Sequence, residues 1–161
     1  MITPLEVQVV TLEGKNVRDL IAIHLSGMQN NSPEGSVYAL DMSGLSADNI
    51  TLFGVEIDGA IQAIGALKSL GSKAGEIKSM RTSQDYLGQG IGKLILRHII
   101  NQARERGYSK LSLETGSGEA FSAAIYLYQT HGFVPCSAFG EYESSDFNQF
   151  FELDLTSTPN L

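Results

Sequence analysis

The sequence predicts a mixed sheet of the α/β or α+β class, flanked by helices. Three observations point there. Runs with a two-residue period alternate with runs of helical period. Asp58-Gly59 stands between two β-rich runs, the usual chemistry of a tight hairpin turn. A strand, a glycine-rich turn, a helix and a further strand follow one another near the middle of the chain. A helical bundle would lack the strands, and a β-sandwich would lack the helices.

The elements follow in order. "LEVQVVTL" alternates and reads as a first strand. From Asn16 to Met28, Val17, Leu20, Ile21, His24 and Met28 recur at helical spacing, and "NNSPEGS" ends that helix near Gln29. "SVYALDMSGL" reads as a short helix or an irregular segment. "NITLFGVEIDGAIQAIGALKSL" gives two strands around Asp58-Gly59, and "EIKSMRT" a third. From Gly90 to Arg106 a helix is expected, with Ile91, Leu94, Ile95, His98, Ile99 and Gln102 on one face and Gly107 as its stop. "YSKLSLET" follows as a strand and "GSGEAFSAAIYLYQTHGF" as a helix ended by Gly132. Two more strands complete the order, with "FNQFFELDL" the last, and "TSTPNL" reads as a frayed tail.

Composition bounds the function. The chain has 161 residues, 42% apolar and 18% charged, the balance of one globular domain with one core. No apolar run reaches membrane-spanning length, and "MITPLEVQVV" lacks the basic-then-apolar order of a secretory signal, so a cytoplasmic location is expected. Cys136 is the single cysteine, which excludes an internal disulfide and disfavours a cysteine-based metal site. No metal is expected. A net charge of −7 argues against nucleic acid as a partner. Residues 1–70 carry three basic and eight acidic side chains, residues 71–136 eight and five, and residues 137–161 none and five. The middle segment is the one that would welcome an anion, although short segments also vary by chance.

That segment holds "YLGQGIGKLILRH", residues 86–98, with Gly88, Gly90 and Gly92 at alternate positions. A glycine turn between a strand and a helix points free N–H groups outward, and the helix dipole adds positive charge, which suits phosphate. The P-loop pattern fails, because Leu87 stands where glycine is needed and Leu94 where Ser or Thr is needed. The dinucleotide pattern fails at Lys93. Alone, the remaining Gly-x-Gly-x-Gly also fits a helix start packed closely on a strand.

With its surroundings it says more. "EIKSMRTSQDYLGQGIGKLIL", then "LSLETGS", then "AIYLYQTHGF" resemble the core of the GNAT superfamily of acetyl-CoA-dependent N-acetyltransferases, over about residues 75–134. Leu127, Tyr128, Gly132 and Phe133 match the family's Leu-Tyr-x-x-x-Gly-Phe ending. "SVYALDMSGL", "MRT" and "LSLETGS" are also similar to a branch of small bacterial acetyltransferases. The resemblance implies a mostly antiparallel central sheet, splayed between its two central strands, in one domain over residues 1–156. It implies acetyl-CoA as acyl donor and a primary amine of a small molecule or peptide as acceptor. Relatives are often dimers, and the strand near Phe147–Phe151 is a candidate to pair across an interface. Leu87 replaces the usual Arg or Gln and removes a positive side chain. Phe121 replaces an Asn that in many members helps hold the pantetheine arm.

The resemblance also implies site residues. Backbone N–H groups of Leu87, Gly88, Gln89, Gly90, Ile91, Gly92 and Lys93 would hold the diphosphate. Those around Ser79, Met80 and Arg81 would bind pantetheine and polarise the acetyl carbonyl, and Phe121, Ala124 and Tyr128 would line the same path. Arg81 either meets phosphate or is solvated. Tyr128 would hydrogen-bond the leaving sulfur; its rival role is a satisfied core tyrosine. Tyr126, on another helical face, is the control. Glu76 and Glu114 compete as general base, and either is alternatively a paired strand-end charge. His98 reads as packed rather than ligating, and Cys136 as a small buried residue. Residues 24–44 are where acceptor selection is expected. Acidic flanks suit a cationic acceptor such as a polyamine, an aminoglycoside or a protein N-terminus. Two rival functions remain: a catalytically silent acyl-CoA-binding regulatory domain, and an interaction module whose glycines only permit close packing.

Overall fold

A computed structural model describes residues 5–10, 49–71, 73–118, 121–139 and 145–156. The expected helix over 16–28, the "SVYALDMSGL" segment, His24, the whole acceptor-selecting stretch 24–44 and the tail 157–161 lie outside the described residues.

Asp58 and Gly59 both take positive φ, 53° and 85°, which is the backbone of a two-residue hairpin turn. They join β2 (Ile50–Ile57) to β3 (Ala60–Gly71), and β1 (Val7–Val9) pairs antiparallel on the outer side of β2. β4 (Ala74–Thr82) returns along β3. A one-turn 3-10 helix, Gln84–Tyr86, and the glycine loop lead into α1 (Ile91–Glu105). β5 (Lys110–Thr115), α2 (Ser122–Thr130), β6 (Val134–Pro135) and β7 (Gln149–Asp154) complete the described elements. The described strands form one seven-stranded sheet in the order β1-β2-β3-β4-β5-β7-β6. Every pair is antiparallel except β4 with β5, which α1 connects.

The central pair is short. β4 and β5 pair from Ala74 with Lys110 to Ile77 with Leu113, and β4 then continues to Thr82 without β5 beside it. A bulge accompanies the parting. Ala66 faces Lys78 and Ile64 faces Arg81, so Ser79 and Met80 together oppose Gly65. Gly65 fits here because a Cβ would stand 2.6 Å from Met80 Sδ and 2.7 Å from Ile95 Cγ2.

α1 covers that side of the sheet. Ile91, Ile95, Ile99 and Ala103 form its buried row, with Leu96 and Ile100 beside them. The buried face is therefore turned from the expected one: Leu94, His98 and Gln102 are only half-buried, and His98 meets Phe53 edge-on at 5.0 Å. Full burial of each large aliphatic side chain stabilises by roughly 1.5–3 kcal/mol. The core continues through Phe53, Leu67, Leu111, Leu113 and Phe151. Gly107, at φ 80°, ends α1 in a Schellman turn, with Tyr108 N–H donating to Ala103 C=O at 3.0 Å and Gly107 N–H to Arg104 C=O at 3.0 Å. α2 starts later than the periodicity suggests. Gly118, which the periodicity places in the helix, takes φ 102°, outside helical geometry.

Gly65→Ala is expected to cost about 1–3 kcal/mol through overpacking against Met80 and Ile95. Gly59→Ala, where a Cβ meets nothing within 4 Å, is expected to cost less, from its left-handed backbone alone. Urea unfolding midpoints of the two variants check this, and a larger loss for Gly59→Ala would contradict it.

Candidate active site

The glycine loop is shaped by backbone angle, not by packing. Gly88 and Gly90 have φ of 76° and 81°, and a Cβ on either would meet nothing within 4 Å. Glycine is the residue that takes such angles without strain. Gly90 is the N-cap of α1 and supplies no side-chain cap, and no acidic side chain occupies the first turn. The first helical bond is Leu94 N–H to Gly90 C=O at 3.1 Å. Among the described residues no acceptor meets the N–H groups of Gly88, Gln89, Gly90, Ile91, Gly92 or Lys93. A helix N-terminus in this state favours an anion through those donors and the dipole together. Leu87 is 60% exposed at the loop's edge, and Lys93 is exposed in the first turn.

Three separate pieces of sequence meet at Gly92. A Cβ there would lie 3.8 Å from both Thr82 Oγ1, at the end of β4, and Leu127 Cδ2, on α2. The end of the splayed strand, the first turn of α1 and the turn of α2 that carries Tyr128 are thus brought together.

The Leu-Tyr-x-x-x-Gly-Phe run has a local physical cause. Gly132, at φ 95°, ends α2, and Phe133 N–H donates to Tyr128 C=O at 3.2 Å while Gly132 N–H donates to Gln129 C=O at 3.1 Å. This is a Schellman turn, and such turns bring an apolar contact between the two residues bridged by the longer bond. Here Phe133 meets the Tyr128 ring at 5.8 Å, edge-on. Tyr128 is 7% exposed, and burial pushes its phenol up to about 12. Among the described residues no hydrogen-bond partner holds its hydroxyl, and the oxygen is not one of the fully sealed polar atoms. Tyr126 points elsewhere and is 70% exposed.

The two candidate bases differ in surroundings. Glu76 lies buried in β4, and its Oε2 accepts from Lys78 Nζ at 3.1 Å, itself buried. Glu114, on β5, is half-buried and pushed up to about 7. Burial is the main cause; the Lys78 ammonium pulls it down and the Glu76 carboxylate pushes it up. A carboxyl group poised near neutrality suits proton transfer at physiological pH better than one fixed against an ammonium. Lys78 had no signal in the sequence, because its partner lies two residues away on a strand whose burial only the fold reveals.

Other expected residues fall as follows. Ala124 and Ile125 are half-buried against the core. Phe121 meets Phe147 edge-on at 5.5 Å, across Gly116, where a Cβ would come within 2.8 Å of Phe121 Cε2. The backbone of Ser79, Met80 and Arg81 forms and follows the bulge, with the Met80 side chain turned toward α1. Arg81 is half-buried. His131 closes α2, with Nδ1 2.8 Å from Leu127 C=O and Nε2 accepting from Arg97 Nε at 3.2 Å, a link between the helices that spacing alone did not suggest. Cys136 is half-buried rather than buried, and burial pushes its thiol up. Among the described residues no three His, Cys, Asp or Glu side chains converge as metal ligands, and no helix is long and apolar enough to cross a membrane.

Known proteins give this geometry a setting. The sequence profile of the acetyltransferase (GNAT) family matches residues 17–133. The chain is 42% identical over 145 residues to the uncharacterized N-acetyltransferase YedL of Escherichia coli (strain K12), spanning 90% of this chain and 91% of that one. A provisionally named acyl-CoA N-acyltransferase from Klebsiella pneumoniae has a crystal structure that aligns with a TM-score of 0.79 at 26% identity, over 94% of this chain and 97% of that one. A GNAT family acetyltransferase from Elizabethkingia anophelis, solved with acetyl-CoA bound, shares the fold at a TM-score of 0.69 and 17% identity, over 93% of this chain and 97% of that one. A profile match across most of the chain and a full-length relative at this identity leave one conclusion: the chain belongs to the GNAT acetyltransferase family and is an acyltransferase.

Proposed function

We propose that the protein transfers an acetyl group from acetyl-CoA to a primary amine of a small molecule or peptide, in the cytoplasm, by direct attack of the amine on the thioester. The observation that carries this reading is the row of unclaimed N–H groups from Gly88 to Lys93, ending beside the helical turn that bears Tyr128. Donors in that number suit a diphosphate. The acetyl-CoA seen in a neighbour of the same fold supports the same donor here. Acetyl-CoA supplies an activated carbonyl with a thiolate leaving group; the residues of this chain bind it and move the protons.

The loop from Leu87 to Lys93 grips the diphosphate. Main-chain N–H groups of Ser79, Met80 and Arg81, along the edge of β4 that β5 has left, take the pantetheine and polarise the carbonyl. Phe121 and Ala124 flank this path from the start of α2. Glu114 accepts the proton that the amine gives up as the N–C bond forms. Glu76, held by Lys78, supports Glu114 by keeping negative charge nearby, which raises its proton affinity. The Tyr128 hydroxyl donates a hydrogen bond to sulfur as the C–S bond breaks. With the phenol at about 12 and a free thiol near 8.5, complete proton transfer to the thiolate is uphill by about 5 kcal/mol. Tyr128 therefore acts by donation rather than by giving up its proton. The acidic composition suits a cationic acceptor. β7 is held between β5 and β6, so the expected pairing of this strand across a homodimer interface does not fit the sheet.

Calorimetric titration with coenzyme A, followed by thiol release from acetyl-CoA with a panel of amines, tests the reading. Binding with amine-dependent release is expected; no binding at millimolar coenzyme A would contradict it. Tyr128→Phe is expected to lower kcat by about tenfold or more with coenzyme A affinity unchanged, and Tyr126→Phe to change neither. Unchanged turnover in Tyr128→Phe would remove its role. For Glu114 the base form must be deprotonated, so kcat/KM is expected to rise through pH of about 7. Glu114→Gln should abolish that limb and lower the plateau roughly 100-fold or more. An unaltered pH profile would exclude Glu114 as the base.

A further inference from the structure

A buried ammonium stands beside the proposed base. Ile77 of β4 and Leu113 of β5 join the core that α1 covers. Alternation therefore turns Glu76, Lys78, Ser112 and Glu114 to the opposite face of the sheet. Glu76, Lys78 and Ser112 are buried there, and Glu114 is half-buried. The last parallel pair is Ile77 with Leu113, so Lys78 and Glu114 are the next residues on their strands, where the opening begins. Their neighbours on the far sides are Ala66 and Phe150, neither of which carries a charge.

The Lys78 ammonium is engaged by the other carboxylate. Its Nζ donates to Glu76 Oε2 at 3.1 Å. Among the described residues no hydrogen bond or ion pair holds the Glu114 carboxyl group. Two carboxyl groups thus stand around one ammonium. The remaining charges on this face lie further along the strands. β5 runs between β4 and β7, and β7 sets Glu152 beside Ser112 and Asp154 beside Lys110. Glu152 is engaged by Lys110 Nζ at 3.8 Å. Lys68 of β3 stands beside Glu76. Lys78 and Glu76 are the charges that act on Glu114, and they act in opposite directions.

Resting on the function proposed above, we infer that Lys78 is a positioning residue for the base, and that Glu76 acts by holding the Lys78 ammonium away from Glu114. A lysine ammonium is a point charge on a flexible stem, so either carboxylate can take it. Seated fully on Glu114, it would make that group a weak base, because an opposite charge at close range favours the ionised form. With the ammonium gone, burial would hold Glu114 protonated through neutral pH. Engaged by Glu76 and still close to Glu114, it leaves Glu114 able to ionise near neutrality and to take the proton that the amine releases as the N–C bond forms. The cluster is anionic before that step and neutral after it.

The test follows two readouts against pH. One is kcat/KM for thiol release from acetyl-CoA, with the amine of the panel above that gives the fastest release. The other is the carbon-13 resonance of the Glu114 carboxyl group in the free protein. Lys78→Met is expected to move both midpoints to higher pH by about one unit or more, and Glu76→Gln to move both to lower pH by a similar amount. Losing one partner of a buried pair can unfold a protein, so Lys78 is also removed from Glu76→Gln, where its partner is already uncharged. The double variant is expected to titrate at higher pH than Glu76→Gln. A merely structural role would lower stability and rate in each variant without moving the midpoints in opposite directions. Midpoints that stay in place, single variants that move the same way, or a double variant that titrates with Glu76→Gln would overturn the inference. Carboxyl midpoints that move as expected while the kcat/KM limb stays would overturn it too, by removing Glu114 as the base. Carboxyl midpoints that move as expected in a protein that acetylates no amine would overturn the proposed function and leave the arrangement of charges standing.

Discussion

The parting of two parallel strands is the constraint on which the rest of this molecule depends. β4 and β5 hold together only from Ala74–Lys110 to Ile77–Leu113. A parallel pair needs a crossover, and α1 supplies it, so the glycine loop before α1 lies at the end where the strands separate. The bulge of Ser79 and Met80 opposite Gly65 turns β4 at the point of separation. A regular ladder there would bury the same main-chain groups in pairing. The opening is thus a product of sheet geometry, and ligands of open mixed sheets commonly bind at such ends.

Burial then sets the chemistry of the side chains around that opening. It raises the proton affinity of Tyr128 and of Glu114 alike, but the two groups respond to different uses. A phenol that resists ionisation is a steady donor. A carboxyl group brought near neutrality exchanges protons readily. Lys78 keeps this balance in hand: it pairs with the buried Glu76 and moderates the shift at Glu114.

Legibility in the sequence followed the range of the interactions. Asp58-Gly59, Gly90, Gly107 and Gly132 mark turns and helix ends through their own backbone angles, so the elements around them could be read directly. The Tyr128–Gly132–Phe133 cap is equally local, which is why that motif carries so much information. Features that depend on distant partners were not readable. The buried face of α1 turns toward Leu96, Ile100 and Ala103, because the sheet and not the helix decides which row it covers. Gly116 gave no sign that Phe121 and Phe147 would close over it. The bulge at Ser79–Met80 is a mismatch between two strands and belongs to neither alone.

The central claim is that main-chain amides at the start of α1 bind the diphosphate of the acyl donor. Amide proton–nitrogen correlation spectra recorded during a coenzyme A titration measure this most directly. The account predicts that the resonances of Gly88, Gln89, Gly90, Ile91, Gly92 and Lys93 move downfield together and saturably as the amides acquire phosphate acceptors. Coenzyme A that binds while those resonances stay in place would contradict it.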